Sequence, residues 1–291
     1  MKTLMTSAAA ILMTAGVLAS CSAGKANATV NDAATAAIGA TATPKTLNLK
    51  DFNAIDNASV ITVVYTEGSK YSVRVEERGE VPSAITKEGK TLKVKRAEGD
   101  SEKKTDTYLY ITAPEIASIN NTGVMKFEAV TMKSSDFSLQ NKGVFTLAAK
   151  DMAFTGFNLD NAGVLNSETE IKADKVELTN NGVIKGSSDV KGGDLTLSNN
   201  GVGNLDITFK GNGMKITCGG TGSINLDVDC KSVEASSSSP CSITISGRTG
   251  ECNIRKYNEY VGKIDISRLE DPQGELFSKK RVYIKKTQIK K

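Results

Sequence analysis

From residue 116 to 255 apolar and polar residues alternate along the chain, and a short polar turn interrupts the alternation at a fixed interval. The pairs Phe137/Leu139, Phe157/Leu159, Val176/Leu178, Leu195/Leu197 and Met214/Ile216 each put two apolar side chains on one face of a strand. A helix would need a 3.6-residue period over about ten residues, and no repeat unit supplies it. Behind the anchors Ile119, Leu139, Leu159, Leu178 and Leu197 stand Asn121, Asn141, Asn161, Asn180 and Asn199, each two positions on. Gly123, Gly143, Gly163, Gly182 and Gly201 follow two positions later, and Gly220 holds the same place one unit on. After the first five of these glycines comes a valine: Val124, Val144, Val164, Val183 and Val202. Asn-x-Gly reads as a strand-breaking turn, with glycine expected at positive φ and asparagine bonding the local backbone.

The anchors continue through Ile216 to a degenerate Ala235, at steps of 20, 20, 19, 19, 19 and 19 residues. Self-similarity at this period predicts stacked coils, that is, an all-β parallel β-helix or β-solenoid with one coil per repeat. At about 4.8 Å per coil, seven coils make a column roughly 30 Å tall. Equivalent side chains then form vertical ladders: apolar ones as the core, asparagines at a corner with each amide bonding the next coil. The Asn–Gly ladder is read first as architecture, since turn residues repeat whenever a turn repeats.

Outside the repeat the pattern changes. Residues 46–115 form a β-rich segment in which VITVVYTEGSKYSVRVEE reads as a hairpin, followed by the strands TLKVK and TYLYI. Together they predict an antiparallel or mixed layer covering the first coil and its open strand edge. Residues 256–291 are expected to add a last strand or two as the opposite cap, ending in a basic tail from Lys279 to Lys291 that reads as a solvated terminus.

Composition narrows the setting. Tryptophan and histidine are absent and the formal charge is only +4, which is no nucleic-acid signature. Residues 1–20 read as a secretory leader, too short for a spanning helix. Leu18-Ala19-Ser20-Cys21 looks like the lipobox of bacterial lipoproteins. That resemblance implies cleavage before Cys21, acylation of Cys21 and attachment to a membrane, with residues 21–45 as a flexible tether. The residues fit either face of the outer membrane. An exported chain permits disulfides among Cys218, Cys230, Cys241 and Cys252. Cys218–Cys241 with Cys230–Cys252 suits the offset of about one coil, and all three connectivities remain open. The spacings lack the close Cys-x-x-Cys pairs of a zinc site, and neither metal nor cofactor is expected.

FNAIDNASVITVVYTEGSKYSVRVEE, the strand YLYITAP and the glycine-punctuated repeats after it resemble the family called "putative auto-transporter adhesin, head GIN domain", exported lipoproteins of Bacteroides-like bacteria. The resemblance spans about Thr46 to Arg255 and implies a β-helix-like fold in the cell envelope. The family often carries Ser-Gly-Ser-Gly at its turns, where this chain carries Asn-x-Gly-Val; the nearest echo is Ile245 to Gly250.

Three functions fit. The first is a non-catalytic, adhesin-like envelope lipoprotein binding a glycan or a protein through the solenoid surface. The second is a polysaccharide-cleaving β-helix enzyme, which needs convergent carboxylates. Asp136, Asp174 and Asp194 are the candidates to line one face, against the plainer reading of solvated loop carboxylates. The third is a structural or regulatory periplasmic protein that binds another envelope protein at an exposed strand edge. Without histidine, a Ser-His-Asp or Cys-His engine is impossible. Asp227 and Asp229 could touch calcium but lack an EF-hand frame. Sugar platforms of tryptophan are missing and Tyr257, Tyr260 and Tyr283 sit near the C-terminus, which favours a protein partner. Non-catalytic binding is the reading adopted.

Overall fold

The computed structural model describes residues 44–79, 82–96, 105–256 and 262–270. The leader, Cys21, nearly all of the tether, Tyr257, Tyr260 and the tail beyond residue 270 lie outside them. The described residues form strands and turns without a helix. Seven strands lie in the N-terminal segment: β1 Lys45–Leu47, β2 Ala54–Ala58, β3 Val60–Glu67, β4 Ser72–Gly79, β5 Ser83–Glu88, β6 Thr91–Arg96 and β7 Thr105–Ala113. The repeat region holds β8 Ser118–Asn121, β9 Val124–Ala129, β10 Met132–Asn141, β11 Val144–Asn161, β12 Val164–Asn180, β13 Val183–Asn199, β14 Val202–Cys218, β15 Thr221–Ser237 and β16 Cys241–Lys256. A last strand, β17 Lys263–Glu270, lies parallel on β16.

From β8 to β16 each strand pairs in parallel with the equivalent stretch one coil away, giving the expected β-solenoid. The anchors stack in register as Ile119, Leu139, Leu159, Leu178, Leu197, Ile216 and Ala235, all buried. Removing each of the larger ones from water contributes about 1.5–3 kcal/mol. Phe137, Phe154 and Phe157 cluster inside, with ring centroids 5.3–5.8 Å apart. The change from a 20- to a 19-residue step has a local cause. Register slips between Ala149 and Met152, where Lys150 and Asp151 take the space of one residue and Asp151 adopts φ 48°. A β-bulge absorbs the extra residue and leaves the ladders aligned on either side.

The N-terminal segment departs from expectation. β3 and β4 do not form a hairpin, because β7 lies between them, parallel to β3 and antiparallel to β4. Nor is the segment simply a covering layer. β2 and β3 form a true coil directly beneath β8 and β9, and β6 and β7 form another beneath that. Only β1, β4 and β5 run antiparallel, closing the lower end. Arg74 lies 4.2 Å over the Tyr110 ring and Arg78 lies 5.3 Å over Tyr108, tying β4 to β7. Coil order in space therefore differs from chain order: β8 stacks on β2, 64 residues away, and not on the nearer β6.

Candidate functional site

The corner of each coil is built by the Asn-x-Gly-Val phrase. Asn121, Asn141, Asn161, Asn180 and Asn199 are buried and stacked. Asn121 Nδ2 donates to Asn141 Oδ1 at 2.8 Å, and the step repeats at 2.7 Å from Asn141 to Asn161, Asn161 to Asn180 and Asn180 to Asn199. Each Nδ2 also donates to the glycine carbonyl of its own turn and to the valine, or finally Thr221, carbonyl of the next coil. All the amides point the same way, so each bond polarises the next.

The ladder starts earlier than the repeat suggests. Asn57 Nδ2 donates to Asn121 Oδ1 at 2.8 Å and to Ser59 O at 3.0 Å. The signal was Ile55-x-Asn57-x-Ser59-Val60, the same phrase with serine in place of glycine. At the other end Asn199 Nδ2 meets Cys218 Sγ at 3.4 Å, and Ser237 takes the place after Cys218.

The turn glycines are needed for a reason other than positive φ. None of Gly123, Gly143, Gly163, Gly182, Gly201 and Gly220 is among the positive-φ glycines. A Cβ on Gly143, Gly163, Gly182, Gly201 or Gly220 would lie 1.9–2.1 Å from the carbonyl oxygen of the glycine one coil below. Gly123 would meet Ser59 O at 2.2 Å. The corners stack backbone on backbone, which leaves no room for a side chain.

Cys218 and Cys241 form a disulfide, with Cα atoms 6.4 Å apart and both residues buried. It crosses from the ladder position of one coil to the inner wall of the next, where Gly222 is the register neighbour of Cys241. A covalent link thus continues the column where the asparagines stop. The second expected pair does not form: Cys230 lies opposite Thr249, and Cys252 lies three residues further along, opposite Val233. Cys230 donates to Ser232 O at 3.4 Å, and burial pushes its thiol above the ordinary range, so it is a poor nucleophile at neutral pH. The double substitution Cys218→Ser/Cys241→Ser should cost about 3 kcal/mol of stability by the loop-entropy relation for a 23-residue separation. The shift of the urea midpoint measures it.

The candidate carboxylates are not brought together as an acid–base pair. Asp136 and Asp194 share one outward column, but Gly156 and Lys175 stand between them. Three coil steps separate the two by about 14 Å, beyond either glycosidase spacing. Asp174 sits beside Lys175, whose Nζ pairs with Glu177 at 2.7 Å, and Asp194 accepts the Gly213 N–H at 3.0 Å. Asp229 is engaged by both Lys210 and Arg248 at 3.4 Å, and Asp227 accepts from Ser246. Among the described residues no cluster of three or more acidic or cysteine side chains is placed to hold a metal ion.

Among the described residues, two hollows are prominent. A trough of about 400 Å³ lies over Gly213, bounded by Asp194, Lys215, Ser232, Glu251 and Asn253. A shallow, open hollow of about 590 Å³ near the lower end is lined by Glu67, Tyr71, Glu115, Lys133 and Ser134. There Glu67 Oε2 is buried without a hydrogen-bond partner. Burial, with Glu67 and Glu115 nearby, pushes the Tyr65 phenol well above its ordinary range, and its hydroxyl donates to Ala113 O at 3.0 Å.

A search of curated proteins found no match. Solved structures are similar to this chain. A protein described as a putative adhesin from Parabacteroides distasonis is 14% identical, with 77% of this chain and 96% of that one covered at a TM-score of 0.56. A putative adhesin from Bacteroides fragilis is 19% identical over 77% and 95% of the two chains, at a TM-score of 0.45. A protein from P. distasonis described as a putative lipid binding protein is 12% identical over 80% and 98%, at 0.49. The likeness to the first of these, at a TM-score of 0.56 and 14% identity, is one of fold. The profile of one family matches residues 51–207, more than half of the chain, and that match covers both the out-of-order coil of Asn57 and the asparagine corner. The chain therefore belongs to the family described as "Putative auto-transporter adhesin, head GIN domain".

Proposed function

We propose that this protein is a non-catalytic, adhesin-like lipoprotein of the cell envelope that recognises a glycan or a protein through its solenoid surface. The observation that carries the reading is the outward face of the strands leading into the asparagine corner. Its side chains stand in straight columns at coil spacing. One column runs Gln140, Asp160, Thr179, Ser198 and Thr217. Its neighbour runs Ser138, Asn158, Glu177, Thr196 and Lys215. Such a face offers a regular grid of hydroxyl, amide and charged groups over a rigid support, which suits an extended ligand. The separated carboxylates give no support to polysaccharide cleavage. Family membership and the Leu18–Cys21 motif support the envelope location and the anchor.

The test is protease shaving of intact cells beside lysed ones, with a Cys21→Ala variant in parallel. Cleavage on intact cells and release of the variant from the membrane fraction are expected. Full protection until lysis would overturn the adhesin reading and direct the search to a periplasmic partner. A variant that stays in the membrane would overturn anchoring through Cys21.

A further inference from the structure

Just past each corner a valine points outward. Val60, Val124, Val144, Val164, Val183 and Val202 pair in unbroken register through six coils. Their exposures are 50, 42, 40, 40, 39 and 39%, and they make up all but one of the exposed large apolar residues among the described part of the chain. The remaining one, Val130, is 75% exposed and lies elsewhere on the coil. An apolar row this long on an otherwise polar solenoid is a candidate interaction surface. Nothing in the coil itself requires it, because Thr221 holds the same position one coil on and the stack continues.

We propose that this row is the interface of a homodimer in which two solenoids pack side by side, parallel, about a two-fold axis running along the stack. Three observations select a second copy in that orientation. The first is spacing. A row of branched side chains repeating at about 4.8 Å is matched along its whole length by another row with the same repeat, and the surface that carries one is this chain. In the parallel pair each row settles into the groove beside the other.

The second is charge. The column two residues after the valines reads Thr62, Lys126, Thr146, Asn166, Lys185 and Asn204. The turn residues two before them read Ala58, Thr122, Lys142, Ala162, Asn181 and Asn200. A parallel two-fold sets one column against the other at equal height. Lys126, paired with Glu128 on its own strand at 2.6 Å, then faces the level of Thr122, Lys142 that of Thr146, and Lys185 that of Asn181, so each ammonium group meets a hydroxyl or an amide across the pair. The antiparallel two-fold through the middle of the row sets each column against itself inverted, and brings Lys126 opposite Lys185 twice. Like charges facing each other oppose association.

The third is area. Six coils span about 24 Å, and the valine column with the columns flanking it about 20 Å with their side chains, a footprint of roughly 500 Å². That lies somewhat below the ~800 Å² per partner of a standard interface, which points to a reversible dimer rather than a permanent one. The parallel arrangement also keeps the β1 end of both solenoids at one end of the pair.

The test is site-directed crosslinking of the full chain with Cys21, Cys230 and Cys252 changed to serine. Val124→Cys, Val164→Cys and Val202→Cys are each treated with a short bifunctional thiol reagent, with Val130→Cys as the off-row control. Each single row variant should give a crosslinked dimer, because the parallel axis sets every row position beside its own copy, and Val130→Cys should not. Adding Val164→Lys and Val183→Lys to Val202→Cys should lower the yield about tenfold or more, since both charges would be desolvated in the row. Circular dichroism identifies any variant that has failed to fold, and the remaining row positions then decide. Crosslinking only when Val124→Cys and Val183→Cys are mixed would overturn the parallel arrangement. Equal yields on and off the row, or none at any row position, would overturn the dimer. None of these outcomes depends on the glycan or protein ligand or on Cys21, so surface recognition stands or falls separately.

Discussion

Changing Gly163 to alanine will cost on the order of 4 kcal/mol, an unusual penalty for adding one methyl group to extended backbone. The new Cβ would lie 2.0 Å from Gly143 O and 2.9 Å from Gly143 N. Neither atom can step aside. Gly143 O accepts the Val164 N–H at 2.8 Å, and Asn141 O beside it accepts the N–H groups of Ala162 and Gly163 at 2.7 and 3.1 Å. Relief requires the two coils to separate locally, which strains or breaks these bonds and disturbs the asparagine pair between them. Overpacking costs about 1–3 kcal/mol and each lost bond about 1 more. Gly219→Ala is the control. Gly219 occupies the turn position that Ala162 holds three coils below, and a Cβ there meets only side-chain ends, Asn200 Oδ1 at 3.2 Å and Ser238 Oγ at 3.8 Å. It should change stability by less than about 0.5 kcal/mol. Urea unfolding of both variants measures the difference; a loss below about 1 kcal/mol for Gly163→Ala would show that the corner can open without cost.

The second large effect is expected at Asn161. Its side chain is fully buried, donates to Asn180 Oδ1 at 2.7 Å and to Val183 O at 3.0 Å, and accepts from Asn141 Nδ2 at 2.7 Å. Asn161→Ala would strand a donor below and acceptors above in a column closed to water. At about 1–3 kcal/mol for each abandoned group, the loss should reach roughly 3–5 kcal/mol. Asn199→Ala should cost less, because the upper partner of Asn199 is the Cys218 sulfur at 3.4 Å, a weak acceptor.

Asn161→Asp supplies the sign. A buried carboxylate facing Asn180 Oδ1 has lost the donor that the amide provided, so its folded-state pKa is raised above the unfolded value. The folded state then holds the proton over a range where the unfolded chain has released it. Stability will be greatest at acid pH and will fall as pH rises through the raised pKa, opposite to the usual aspartate. Equal stability across that range would mean that water or a cation reaches the ladder.

Much of this was legible because it is local. Alternation marks which residues face inward along any one strand, and Asn-x-Gly marks where the strand turns. The repeat of both gave the coil length, including the step from 20 to 19 residues that a bulge at Lys150 and Asp151 accommodates. The hairpin expected over residues 60–77 was misread for the same reason. Two adjacent β-rich runs with a glycine between them suggest pairing, but a later strand, β7, is the better partner for both. The coil of Asn57 was missed because serine replaces glycine in its phrase and because 64 residues separate it from its neighbour in the ladder.

The sequence by itself determined that this protein is a stack of thin β coils with an asparagine corner, since side-chain period and turn chemistry act within a few residues. Only the tertiary structure decided the order of the lower coils, the one disulfide among the expected pairings and the alignment of six exposed valines into a continuous row. It also decided why the corner glycines are glycines. These properties depend on which strand lies above which. That choice is made by contacts between distant parts of the chain: an amide finding the next amide, a carbonyl lying where a Cβ would be, and a cysteine meeting the inner wall of the following coil.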